Sequence, residues 1–346
     1  MRRTKSSSIP ITLFAVALAV AAAGAAHAEP ASVSSPPEPD KAVWTFVLEN
    51  DLAAGTDRYY TNGFLLGRTS ALNDVPKQLV DAVTPLIGTV GQVRWRANIG
   101  QSLYAPEDIT RKQPDPNDQP YAAWLHADVG VINDVALPNG NRRQTSVMLS
   151  LGVVGPSALG EQTQDFVHDV VGSKDPQGWD EQLENEPALL LTVEQRWLVT
   201  SQQFAGQRID AAPHVGMALG NVFTHAAAGV TFRFGEPPQF DYGPPRIQPS
   251  TPGSGYFENS GDEVFSWYVF AGIEGRTVAR NIFLDGNTFE DSPSVDKNIF
   301  VADLSGGIVF TVGDLRLAYT HVIRSQEFDG QSGPSVFGGF SVGYRF

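Results

Sequence analysis

The closing stretch Ser335-Val336-Phe337-Gly338-Gly339-Phe340-Ser341-Val342-Gly343-Tyr344-Arg345-Phe346 decides the fold class. Val336, Gly338, Phe340, Val342, Tyr344 and Phe346 share one face, while Ser341, Gly343 and Arg345 share the other. Period-2 alternation of this kind marks a strand that meets apolar surroundings on one side only. Leu315, Leu317, Tyr319 and Ile323 alternate with Arg316, Thr320 and Arg324 in the same way. A soluble sandwich would give the same signal strand by strand. The basic, then apolar N-terminus, the aromatic end at Phe346 and the number of strands favour a membrane barrel instead.

Working upstream, twelve such segments start near Ala42, Tyr59, Val93, Tyr121, Asn141, Pro187, Gly206, Phe223, Asp262, Asn298, Asp314 and Ser335. An even set of strands of about ten residues each fits an all-β, transmembrane antiparallel β-barrel of the outer-membrane type. With both termini periplasmic, the loops at 52–58, 105–120, 156–186, 279–297 and 326–334 face outward. The links at 202–205 and 312–313 are short, as periplasmic turns should be; those at 71–92 and 235–261 are longer than that rule expects. The Pro/Gly-rich run Gly235 to Gly261 reads as a loop between strands.

Three segments follow from this reading. Residues 1–28 form a signal peptide, with Arg2, Arg3 and Lys5 ahead of the apolar Ile11 to Ala26 and an Ala26-His27-Ala28 cleavage site. Residues 29–41, rich in Pro, Ser and Glu, form a disordered leader, and 42–346 the barrel. The destination is the bacterial outer membrane. No cysteine is present, which excludes disulfides, thiolate metal sites and a Cys nucleophile. A formal charge of −14 disfavours nucleic acid as a partner, and loss of the basic signal segment deepens it.

The chemistry gathers at the outer rim. Gly152-Val153-Val154-Gly155-Pro156-Ser157-Ala158-Leu159-Gly160 ends a strand and leads into Glu161 to His168, a short helix in the third outer loop. Gln164 and His168 are four residues apart, one above the other on a helix face. Glu49-Asn50-Asp51 closes the first strand at that rim, and Tyr59-Tyr60-Thr61-Asn62-Gly63 opens the second. Arg111 and Lys112 lie in the second outer loop as candidate substrate-binding cations. Histidine can deprotonate water, and a carboxylate with amide and hydroxyl oxygens can hold Ca²⁺. Each residue also has a plain reading: His168 as helix surface, Asn50 and Asp51 as a strand end, Thr61 as an ordinary strand residue, Arg111-Lys112 as solvated loop charge. Trp44, Tyr59, Tyr60 and Tyr344 fit aromatic girdles. His126, His214, His225 and His321 fit lumen or interface positions. Gly339-Phe340-Ser341-Val342-Gly343 matches G-x-S-x-G but lies within a strand, so it is no nucleophile elbow.

Taken in order, Glu49-Asn50-Asp51, Tyr60-Thr61-Asn62-Gly63, Gln101-Ser102-Leu103-Tyr104-Ala105-Pro106, Gly152-x-x-Gly155-Pro156-x-x-x-Gly160 and Gln164-x-x-x-His168, with Gly172 and Trp179 beyond, resemble the outer-membrane lipid A 3′-O-deacylase family (LpxR-type). The resemblance runs from about Val43 to Phe346. It implies a site between the barrel wall and an outer helix, and Ca²⁺-dependent release of the 3′-linked acyloxyacyl group of lipid A in the outer leaflet. It also implies His168 as the base, Gln164, Asn50, Asp51 and Thr61 around it, and Asp51 as a metal contact. The family's lysine falls on Arg111, with Lys112 one later, and an expected acidic residue falls on Lys174, with Asp175 adjacent. A membrane phospholipase and a non-catalytic barrel (channel or binding protein) are the alternatives. The C-terminal strand is expected to engage the barrel-assembly machinery.

Overall fold

A computed structural model describes residues 40–51, 58–238, 240–247, 249–250, 253–258 and 264–346. The expected signal peptide and leader residues 29–39 lie outside the described residues. Asp40 and Lys41, which end that leader, are tied down: Asp40 accepts from Arg94 Nη2 at 2.6 Å and Lys41 Nζ pairs with Asp314 at 2.7 Å.

The strands are β1 (Val43–Asn50), β2 (Tyr59–Thr69), β3 (Gln92–Ala105), β4 (Ala122–Ala136), β5 (Arg142–Val154), β6 (Glu186–Phe204), β7 (Gln207–Gly220), β8 (Phe223–Gly235), β9 (Phe265–Asn281), β10 (Phe300–Val312), β11 (Leu315–Arg324) and β12 (Ser335–Arg345). Each pairs antiparallel with its chain neighbours, and β12 closes on β1, with Phe340 opposite Leu48. The result is a closed twelve-stranded barrel with no free sheet edge to satisfy in lipid. Its helices are α1 (Lys77–Ile87) in the β2–β3 link, α2 (Gly160–Val171) in the β5–β6 loop and α3 (Ile282–Asp285) after β9. No helix among the described residues is long and apolar enough to cross a membrane; the strands cross it.

Alternation decides which side faces which solvent. On β1, Thr45, Val47 and Glu49 are buried inside while Trp44, Phe46 and Leu48 are exposed outside. Outward Phe340, Val342 and Tyr344 continue that band on β12, and inward Ser341 and Arg345 are buried. Near the termini Trp44 stacks on Phe346 and Arg68 covers Trp95, an aromatic belt at the periplasmic end. Tyr60 is not part of any girdle. A bulge in the β2–β3 pairing between Tyr60 and Asn62 resets the alternation, so Tyr60 turns inward and donates to Glu49 Oε2 at 3.0 Å. Tyr59 is buried too, against Phe328.

The lumen is packed with paired charge. Asp303 receives Arg276 and Arg324, both at 2.9 Å, and Asp210 receives Arg233 at 2.6 Å. Buried ion pairs of this kind fix geometry more than they add net stability. The long β8–β9 link completes the packing by entering the lumen rather than lying outside the barrel. Near the periplasmic end Asp241 meets Arg316 at 3.2 Å and accepts from Tyr268 Oη at 3.0 Å. Arg246 and Ile247 then reach Glu49 at the outer end of β1. The chain returns through Ser254 and Gly255, whose carbonyls accept from Arg316 and Thr45, to Glu258 beside Arg94. A cavity of about 50 Å³ remains between this plug and the β6–β10 wall, room for a few waters.

Candidate active site on the outer wall

Register places four residues of the outer rim in one row. Asn50 on β1 stands opposite Asn62 on β2, Asn62 opposite Leu103 on β3, and Leu103 opposite Ala123 on β4. All four point away from the lumen, because their chain neighbours Glu49, Ser102 and Trp124 point into it. Thr61 is the extra residue of the bulge, and its Oγ1 donates to the Leu103 carbonyl at 3.4 Å. Asp51 lies just past β1, 2% exposed, and accepts from the Arg58 amide at 2.6 Å.

The cover over this wall is α2. A β-patterned run stops at Gly155-Pro156, a short 3₁₀ turn Pro156–Ala158 follows, and α2 begins at Gly160. The turn packs on Leu103, Ala105, Tyr121 and Ala123, with Trp179 completing the cluster. Gln101 Nε2 donates to the Ala158 carbonyl at 2.5 Å, a second tie between wall and cover. Gly160 permits the contact: a Cβ there would lie 2.5 Å from Ala123 Cβ and 2.6 Å from the Trp179 ring.

Held this way, α2 turns Gln164 and His168 inward, 2% and 3% exposed. His168 Nδ1 lies 2.6 Å from the Lys174 carbonyl. A carbonyl only accepts, so Nδ1 carries the proton and Nε2 is the basic nitrogen of the neutral ring. Gln164 Oε1 accepts from Trp179 Nε1 at 2.8 Å. An indole N–H only donates, which fixes the amide orientation and leaves Gln164 Nε2 as a buried donor without a bond partner.

The other flank of α2 is acidic. Asp165, Asp169 and Asp175 line an outer cleft of about 690 Å³ that also includes Lys112 and Trp179. Partial burial, then Asp175 and Asp169, push the Asp165 carboxyl above its ordinary range. Arg111 is half exposed and pairs with Asp115 at 3.2 Å. Register thus places Asn50 and Thr61 at the ends of β1 and β2 with Asp51 just past β1, while Gln164 and His168 lie buried on α2, whose turn covers the neighbouring β3–β4 wall. The structure places Lys112 in the cleft behind α2 and Arg111 in a loop ion pair. Asn62 and Trp179 carried no role in the sequence reading, although both stand in the motif pieces; Asn62 faces Asn50 and its buried Oδ1 has no bond partner. His126 and His214 are lumen residues, paired with Asp128 at 2.7 Å and Glu274 at 3.2 Å.

The model of the family described as "Outer membrane protein LpxR" matches residues 12–346. The chain belongs to the LpxR family. The solved structure of LpxR from Salmonella typhimurium superposes with a TM-score of 0.70 at 20% identity, over 88% of this chain and 100% of that one. The β-domain of the Bordetella autotransporter BrkA covers 89% of this chain and 99% of its own, with a TM-score of 0.41 and 9% identity. No curated protein sequence matches. This LpxR family member is a bacterial outer-membrane protein, and its fold is that of the Salmonella barrel.

Proposed function

We propose that the chain is an outer-membrane ester hydrolase that releases the 3′-O-linked acyloxyacyl group of lipid A in the outer leaflet. The observation that carries this reading is His168, turned toward the outside of the wall by α2 with its Nδ1 proton committed to the Lys174 carbonyl. Nε2 takes a proton from water as the water oxygen attacks the ester carbonyl carbon. Gln164 Nε2 donates to the oxygen on which charge develops. The carbon–oxygen bond to the sugar then breaks, the imidazolium returns the proton to the departing alkoxide, and a carboxylic acid and an alcohol are left. Below the site, exposed Ile99, Leu149 and Leu151 face the acyl region, which suits a lipid ester.

Ca²⁺ is proposed as the cofactor. Asp51, with buried oxygens such as Asn62 Oδ1 and Gln101 Oε1 and the amide of Asn50, offers one carboxylate and neutral oxygens, a donor set that suits a hard cation. Bound there, Ca²⁺ would polarise the ester carbonyl. The closing strand β12, followed by Phe346, is the proposed contact for the barrel-assembly machinery.

The deciding experiment incubates detergent-purified protein with defined lipid A, with Ca²⁺ or chelator, beside His168→Ala, and reads products by mass spectrometry. Loss of the 3′-acyloxyacyl mass that depends on both the ion and His168 is expected. Cleavage of added glycerophospholipid with intact lipid A would replace this reading with a phospholipase. No product from either lipid would leave a non-catalytic barrel.

A further inference from the structure

Glu49 is the buried residue immediately before Asn50 and Asp51, and its carboxylate faces the lumen, away from the site. It accepts three bonds from within the barrel: Tyr60 Oη at 3.0 Å, the Ile247 amide at 3.3 Å and Arg246 Nε at 3.4 Å. Tyr60 in turn precedes the bulged Thr61. Two of the three donors belong to the tip of the periplasmic plug. The remaining one comes from the strand that carries Thr61 and Asn62.

The space around this carboxylate is shaped for the tip. Glu49 stands between Gly63 on β2 and Gly339 on β12, two residues without side chains. A Cβ on Gly63 would lie 3.0 Å from Ile247 Cδ1 and collide with Tyr60 Oη; one on Gly339 would lie 3.3 Å from Glu49 Cγ. Arg246 is further held by Asp303 at 3.9 Å and by the face of Phe337 at 5.5 Å. The rest of the plug is anchored near the periplasmic end by Asp241 on Arg316 and Arg233. The tip is thus a fixed post, standing on the lumen side of the two strand ends that carry Asn50 and Thr61.

We infer that Arg246 and Ile247 are positioning residues for the outer-wall site: through Glu49 and Tyr60, the periplasmic plug sets the placement of the β1 and β2 ends that present Asn50, Asp51 and Thr61. The inference rests on the proposed function only for its catalytic readout. Adjacent strand residues share a backbone, so a tilt of Glu49 is also a tilt of Asn50, and a misplacement of about 1 Å at a reacting centre can cost on the order of a hundredfold in rate.

The test compares Arg246→Ala, Arg246→Lys and Tyr60→Phe with the parent protein, all as folded barrels checked by heat-modifiable mobility. Hydrogen exchange is read on peptides covering Leu48–Asp51, Tyr60–Gly63 and, as control, α2. In Arg246→Ala, exchange at both strand ends should rise at least about tenfold while α2 stays unchanged. On lipid A, kcat should fall between about tenfold and a hundredfold with KM changed less than twofold. Arg246→Lys should restore most of both, and Tyr60→Phe should reproduce the defect more mildly. Unaltered exchange at the strand ends in Arg246→Ala and Tyr60→Phe would overturn the inference, whatever the rates. Faster exchange there with unchanged kcat would overturn it also, since the placement would not matter to turnover. A parent protein inactive on lipid A would count against the proposed function, and the exchange comparison would still decide the positioning.

Discussion

His168 Nδ1 sits 2.6 Å from the main-chain carbonyl of Lys174, so a backbone group orients the candidate base. The bond joins the last turn of α2 to the segment just after Gly172, which closes the helix in a left-handed conformation. The side chain at 174 is therefore released from the orienting role that an acidic residue could fill there. Lys174→Ala is expected to keep kcat within about threefold of the parent, whereas His168→Ala should lose turnover by about a hundredfold or more. Steady-state rates on lipid A for the two variants check this, and a collapse in Lys174→Ala would show that its side chain acts directly.

Gly160→Val tests whether the cover must lie on the wall. Its side chain would occupy space now filled by Ala123 and Trp179, so α2 must lift. The strands below need not change. The expected outcome is a barrel with normal heat-modifiable mobility, faster exchange across Gly160–Val171 and a rate reduced at least about tenfold.

Trp179→Phe keeps most of the packing with Tyr121 and removes one donor. Gln164 Oε1 is then buried without its partner, at a cost of about 1–3 kcal/mol in local stability. The amide also loses the bond that fixes its orientation. Activity should fall through kcat with KM little changed, and a pure KM effect would argue against the role given to Gln164 Nε2.

The acidic flank of α2 gives a pH dependence of known sign. Partial burial and the charges of Asp175 and Asp169 raise the Asp165 carboxyl in the folded state. A raised carboxyl contributes stability while it is protonated and loses it as pH rises through the folded value. Docking of α2 should therefore weaken as pH rises from the ordinary aspartate range through the folded value. Asp165→Asn should flatten that trend, as read by intrinsic-rate-corrected exchange of α2 amides from about pH 4 upward.

Asp303 holds two guanidinium groups inside the barrel, Arg276 and Arg324. Asp303→Ala leaves both cations buried without that partner, which should cost on the order of 3–5 kcal/mol. Urea-induced unfolding in lipid bilayers would show this as a lowered midpoint with an unchanged slope.

Strand positions were legible because period-2 alternation is a property of each strand separately. Each of the twelve starts read from the sequence lies within three residues of the observed one, the largest offset being Asp262 against Phe265. Gln164 and His168 were legible for the same local reason, a helical spacing of four. Two features needed the third dimension. The bulge at Thr61 shifts the phase of β2, so Tyr60, read as a girdle residue, faces the lumen, while Tyr59 is buried against Phe328 of the last outer loop. The link after β8 looks like a surface loop by composition, but a barrel with a polar lumen buries polar segments, and Asp241, Ser250 and Ser254 find partners there.

Filling the lumen turns the barrel from a pipe into a post. With the β8–β9 link packed in the lumen, the site proposed above lies on the side of the post, facing one leaflet. Molecules reach such a surface by drifting sideways within one leaflet. Encounter then depends on how many lipids of the right kind share that plane and how fast they move in it, not on any concentration in the surrounding water.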